Sequence, residues 1–227
     1  MKFDFNLNIT KTNRKKTISI VVKNQIVKVL VPNYVDDLEI EKLIESKISW
    51  IQKKLYLERN NIIVNNKNYI NGEVFKYLGR DYYLIIQPGN SLNIDIVGNK
   101  LVVNTINYNS PIKIKEEIKL WYINKAEKKI EVIHRYYESL MKLSANKLIF
   151  GEYKSKWGSC NSKKVISYDW RIIMSPLTVI NYLVVHEISH IVHPNHSKDF
   201  WSYVSNYIED YKDKKKWLRL NSKKLVL

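Results

Sequence analysis

The chain has 227 residues, 45% of them hydrophobic, 26% charged and 12% aromatic, with a formal net charge of +16 and one cysteine. That length suits one domain or two small ones, and the apolar share is ordinary for a folded protein, which excludes wholesale disorder. The lone Cys160 excludes an internal disulfide framework and any cysteine-rich zinc module.

The best apolar stretch, Ile18 to Val31, is broken by Lys23 and Lys28 and falls short of the ~20 apolar residues a membrane helix needs. The opening residues MKFDFNLNIT carry Asp4 and lack the apolar core of a secretion signal, so a cytoplasmic protein with no membrane partner is expected. Lysine far outnumbers arginine, and Asn, Ile and Tyr are abundant, a bias that inflates charge without selecting for a partner. The positive field still attracts polyanions, which keeps nucleic acid as an alternative partner.

In chain order, Ile18, Ile20 and Val22, then Ile26, Val27, Val29 and Val31, read as two β-runs around a Lys23-Asn24 break. Asp36 and Asp37 mark a helix start, followed by Ile40, Leu43, Ile44, Ile48, Ile51 and Leu55 at helical spacing. From Asn60 to Thr105 the pattern is β again, punctuated by Asn71-Gly72, Leu78-Gly79, Pro88-Gly89-Asn90 and Gly98-Asn99, and suggests a meander packed on the first helix. Ser110-Pro111 opens one long helix or two consecutive ones, ending near Ser144-Ala145. Lys147 to Tyr153 and Val165 to Trp170 read as strands around a turn at Lys156-Trp157-Gly158-Ser159-Cys160. Pro176 opens a further helix that Pro194 closes, and Ser197 restarts one on Phe200, Trp201, Val204 and Ile208. The division expected is a β-rich part over 1–108 and a second domain over 109–227.

Four of the five histidines fall in the eleven-residue window HEISHIVHPNH, which begins with the H-E-x-x-H pattern His186-Glu187-Ile188-Ser189-His190. Residues i and i+4 of a helix lie about 40° apart around it and ~6 Å apart along it, so two imidazoles can converge on one ion. Neutral imidazoles suit Zn²⁺, and Glu187, rotated by about 100°, stands beside the metal where it can take a proton from an activated water. Val179, Ile180, Leu183, Val184 and Val185 place this helix in a core. A third ligand must come from His193 or His196. His193, at i+7, would lie ~10.5 Å along an unbroken helix, whereas the Pro194 break lets His196 return from another direction, which favours His196. His193 is then a residue of the surrounding cleft, and His134 a structural one.

The blocks Ser155-Lys156-Trp157-Gly158-Ser159-Cys160, Ile166 to Arg171, Tyr182 to His190, Asn195-His196-Ser197 and Phe200-Trp201 resemble the YgjP-like zinc metallopeptidase family, related to the SprT-like and wider zincin proteases. The resemblance implies an α+β, zincin-like core around an active-site helix, with His186, His190 and His196 as zinc ligands and Glu187 as the catalytic carboxylate. Two departures stand out: Lys156 replaces the arginine common in the family, and His193 stands where metzincins carry glycine. Trp157-Gly158 reads as a packed turn in which glycine supplies backbone freedom, with a substrate role as its rival. Tyr168 and Arg171 are candidates to stabilise an oxyanion against ordinary strand-end roles.

The expectation is therefore a zinc metallopeptidase acting on peptides or proteins, with Glu187 as general base. Two rivals remain: a DNA-associated binding protein or DNA-linked protease using the lysine-rich surface, and a purely structural zinc site.

Overall fold

β-branched alternation builds the first sheet. Strand β3 (Ile26–Pro32) turns Val27, Val29 and Val31 to one buried face, as the two-residue period of a strand requires. It pairs antiparallel with β2 (Ser19–Lys23) and parallel with β1 (Asn6–Thr12), in the order β1-β3-β2. Strand β1 has no counterpart in the sequence reading, because only Leu7 and Ile9 interrupt its polar residues and it lies at a sheet edge. The computed structural model describes residues 3–23, 25–61 and 67–227, with 57–61 described as backbone only. Asn24 and residues 62–66, on which parts of the β-readings fell, lie outside the described residues.

The helix expected from Asp36 is two helices, α1 (Asp37–Ser46) and α2 (Ile48–Asn61), separated at Lys47. Asp36 caps α1 by accepting from the Glu39 amide at 2.7 Å, and Ile40 and Ile44 bury one face. These elements form a unit of their own, Met1–Asn65, and the rest of the chain forms a second, Asn66–Leu227. The division thus falls upstream of the one expected at 108.

The reason is visible in the second sheet: β4 (Val74–Tyr77), β5 (Arg80–Pro88), β6 (Asn93–Val97) and β7 (Lys100–Thr105). Its buried residues Phe75, Leu84, Leu101 and Val103 share a core with Ile114, Ile118 and Tyr122 of α3 (Pro111–Met141), a single helix of 31 residues. The sheet is not a meander. Its order is β4-β5-β7-β6, two antiparallel hairpins joined through a parallel β5–β7 pair.

A third sheet has the order β8-β10-β9, from β8 (Lys147–Gly151), β9 (Gly158–Cys160) and β10 (Val165–Asp169). Because β8 and β10 are parallel, the segment between them is a crossing rather than a hairpin turn, and it contributes β9 as an edge strand antiparallel to β10. A 3₁₀ turn over Trp170–Met174 leads into α4 (Leu177–Ser189), followed by α5 (Lys198–Ser205) and α6 (Tyr211–Asn221). The Leu78-Gly79 turn braces the start of α4: Leu78 and Gly79 donate to Ile173 and Met174 carbonyls at 2.9 and 3.2 Å. Gly79 has φ +79°, and a Cβ there would lie 2.8 Å from Pro176 Cα. Among the described residues no helix is long and apolar enough to cross a membrane.

Candidate metal centre

Helix α4 is apolar over most of its surface, with Val179, Ile180, Leu183, Val184, Val185 and Ile188 buried, so it runs through the core; Thr178, Asn181 and Tyr182 aside, its polar groups gather at its end. His186 and Glu187 occupy its last turn and His190 is its C-cap. The helix ends there, before Pro194, because the His190, Ile191 and Val192 amides close short turns onto Glu187, Ile188 and Ser189 carbonyls. The chain then reverses, and Ser197 caps α5 by accepting from the Phe200 amide at 3.3 Å. His196, one residue before that cap, is thereby returned to the end of α4.

The outcome is a cluster in which ligand atoms of His186, His190 and His196 all lie within 4.8 Å of one another. The Nε2 atoms of His186 and His196 are 3.0 Å apart. His190 Nδ1 stands 3.0 Å from the His193 carbonyl oxygen. A carbonyl only accepts, so the proton sits on Nδ1 and leaves His190 Nε2 with a free lone pair. Burial lowers the pKa of all three rings, His186 to about 3 with its histidine neighbours adding to the effect. Three uncharged rings with converging lone pairs fit a divalent cation, and imidazole suits zinc. His186 Nδ1 is buried without a hydrogen-bond partner, so that ring is oriented by packing. Phe200, itself fully buried, lies 4.9, 4.6 and 4.8 Å from the His186, His190 and His196 rings.

Glu187 is 4% exposed, and burial pushes its carboxyl up to about 8 while Lys156 pulls it the other way. Its neighbour is the strand β9 backbone. A Cβ on Gly158 would come within 2.5 Å of Glu187 Oε1 and 2.7 Å of its Cγ. Gly158 is therefore glycine for space beside the carboxylate, not for backbone freedom within a turn.

The other candidates are placed as follows. Trp157 packs partly buried against the core and donates from Nε1 to Ser222 Oγ at 3.0 Å. Tyr168 is fully buried, with its hydroxyl 2.9 Å from His134 Nδ1. Arg171 is committed to Asp169, at 2.9 Å from Nε and 2.6 Å from a terminal nitrogen, and to the Tyr153 carbonyl at 2.6 Å. These contacts spend the polar groups of Tyr168 and Arg171 inside the protein, away from an oxyanion role. The imidazole of His193 packs on Tyr203 at 5.4 Å, and only its backbone carbonyl serves the cluster. Sequence reasoning missed three participants: Phe200 as a shared wall, the steric demand at Gly158 and the His193 carbonyl. The first had a signal, since Phe200 follows His196 by four residues across a capped helix start.

A core helix ending in a three-histidine cluster beside a buried glutamate defines a candidate metal-dependent hydrolase. The model of the YgjP-like metallopeptidase domain matches residues 16–221, and the chain belongs to that family. None of the curated proteins matches significantly. The crystal structure of the metallopeptidase zymogen of Pyrococcus abyssi abylysin is similar over 39% of this chain and 92% of that one, at 14% identity and a TM-score of 0.34, too distant to bear on the fold.

Proposed function

We propose that the chain is a zinc-dependent peptidase in which His186, His190 and His196 hold the ion and Glu187 is the general base, on a zincin-like arrangement of α4. The observation that carries this is the convergence of three uncharged imidazoles at the end of the helix that also carries a buried carboxyl. A zinc ion at those nitrogens supplies Lewis-acid polarisation of a carbonyl and raises the acidity of water beside it. Burial disfavours the ionised form of Glu187, and a cation held by the three histidines would favour it. So ionised, Glu187 accepts the proton of the attacking water and returns it to the departing amine, and its backing by Gly158 limits the positions its carboxylate can take. His190 is held in one tautomer by the His193 carbonyl, which keeps Nε2 directed at the cluster.

A purely structural site is less well supported. Among the described residues no fourth His, Cys, Asp or Glu joins the group, and His196 is exposed. That leaves a side open to solvent and substrate, as catalytic zinc sites have.

Glu187→Gln is the direct test. It keeps the side chain's size, so bound zinc by elemental analysis is expected to be unchanged while peptide hydrolysis falls by about 10²- to 10⁴-fold. Undiminished turnover overturns the role of Glu187.

A further inference from the structure

We propose that Lys156 and Lys215 make this site selective for peptides carrying a carboxylate near the bond that is cut; this selectivity rests on the hydrolytic reading above. Lys215 projects from α6 and is exposed, with Nζ 3.9 Å from the centroid of the Trp201 ring. The same ring stacks on His196 at 5.4 Å and lies 5.6 Å from His186. The ammonium thus stands one aromatic ring away from two of the three clustered histidines. Lys156, also exposed, lies two residues before Gly158, the residue pressed against Glu187. Its Nζ donates to Ser159 Oγ at 2.8 Å and stands 4.9 Å from the Tyr153 ring centroid. One cation therefore reaches the site from α6 and the other from the segment entering β9.

Glu187 is the one acidic group among the described residues shown to feel Lys156, through space and without a direct ion pair, and other carboxylates on the neighbouring segments are committed elsewhere. Asp169 pairs with Arg171 at 2.6 Å, Glu152 with Lys119 at 2.8 Å, and Asp210 with Lys214 at 2.6 Å. Among the described residues, neither Lys156 nor Lys215 has a carboxylate within ion-pair distance. Each ammonium is held only by a hydroxyl or an aromatic face, and an ammonium with three N–H donors keeps some free for an incoming anion. A peptide backbone is neutral, so the group two such cations distinguish is a carboxylate, from an Asp or Glu side chain or from the peptide's own C-terminus. Exposed ion pairs are individually weak, which sets the expected preference at about 3- to 30-fold at low ionic strength, shrinking as salt is added.

The experiment uses the zinc-loaded full chain and three peptides of one length: neutral and amidated, the same with an internal Glu, and neutral with a free C-terminus. The kcat/KM of each is measured at low and high salt, together with equilibrium binding of each labelled peptide to the metal-free chain. A carboxylate-bearing peptide is expected to be preferred, chiefly through KM, and the two carboxylate arms tell which source is read. In Lys156→Glu/Lys215→Glu the preference passes to a Lys-bearing peptide; in the milder Lys156→Gln/Lys215→Gln it disappears. Equal rates for all three peptides overturn the selectivity and leave the hydrolytic reading standing. Cleavage of none overturns the hydrolytic reading, and the binding arm then decides alone: carboxylate-dependent binding lost in the Gln variant supports the lysines, and binding unchanged in it overturns them.

Discussion

Gly158 shows how a single missing carbon can shape a site. Any Cβ there lies within 2.8 Å of three Glu187 side-chain atoms, and Glu187 is buried, so the carboxylate must move if the carbon is added. With Glu187 as the proposed general base, Gly158→Ala is expected to lower kcat by about 10²-fold, the cost of displacing such a group by about an ångström, while zinc content and folding are retained. Kinetics with elemental analysis check it, and wild-type turnover in this variant would remove Gly158 from the site. The glycine was readable in the sequence but its reason was not, because the side chain it makes room for lies on another element 29 residues downstream. The three converging histidines, by contrast, followed from helical spacing and a proline break. Arg171 and Tyr168 carry suitable chemistry, yet Asp169 and His134 occupy them, and no one-dimensional pattern reports such partners.

Helix α3 and strand β10 are joined by a buried polar contact with a consequence for pH. His134 of α3 is fully buried, with Nδ1 2.9 Å from the Tyr168 hydroxyl and Nε2 3.2 Å from a Glu138 oxygen. Burial lowers its pKa, an effect that Glu138 opposes. Once unfolded, His134 recovers its ordinary value of 6.5 and binds a proton that the folded ring resists. Its share of stability is therefore complete above pH 6.5 and is lost as the pH falls from there towards the lower, folded value. Denaturant unfolding at a series of pH values is expected to show a decline in wild type between pH 7 and 5 that is shallower in His134→Gln; an equal slope in both would refute it. Most strands and helices were marked by periodicity, β1 and β9 excepted, whereas pairing was not. The parallel β5–β7 and β8–β10 pairs depend on crossings that turn signals alone resemble hairpins. The α1–α2 break at Lys47 likewise lacks any Gly or Pro to announce it.

Taken whole, the molecule separates its tasks: the candidate centre and its supports lie within Asn66–Leu227, and Met1–Asn65 has a core of its own built on Val27, Val29, Val31, Ile40 and Ile44. An ion bound by the folded state alone stabilises it by mass action, about 2.7 kcal/mol at a free concentration 100 times Kd. Chelation is therefore expected to lower the Tm of the transition that unfolds the second unit. Calorimetry with and without zinc should show that shift abolished in His196→Ala and kept in His193→Ala, whose backbone carbonyl survives; the opposite pattern would exchange their roles. A nucleic-acid partner has only the net charge behind it. Local order alone determined the three-histidine pattern, the helix that carries it and most strand positions, because hydrophobic period, capping and residue spacing act over a few residues. What only the tertiary structure decided was which strands pair, where the chain divides, which polar groups are already spent, and why Gly158 must lack a side chain. Those depend on contacts between segments far apart in sequence, where burial and close packing, rather than spacing, choose the partner.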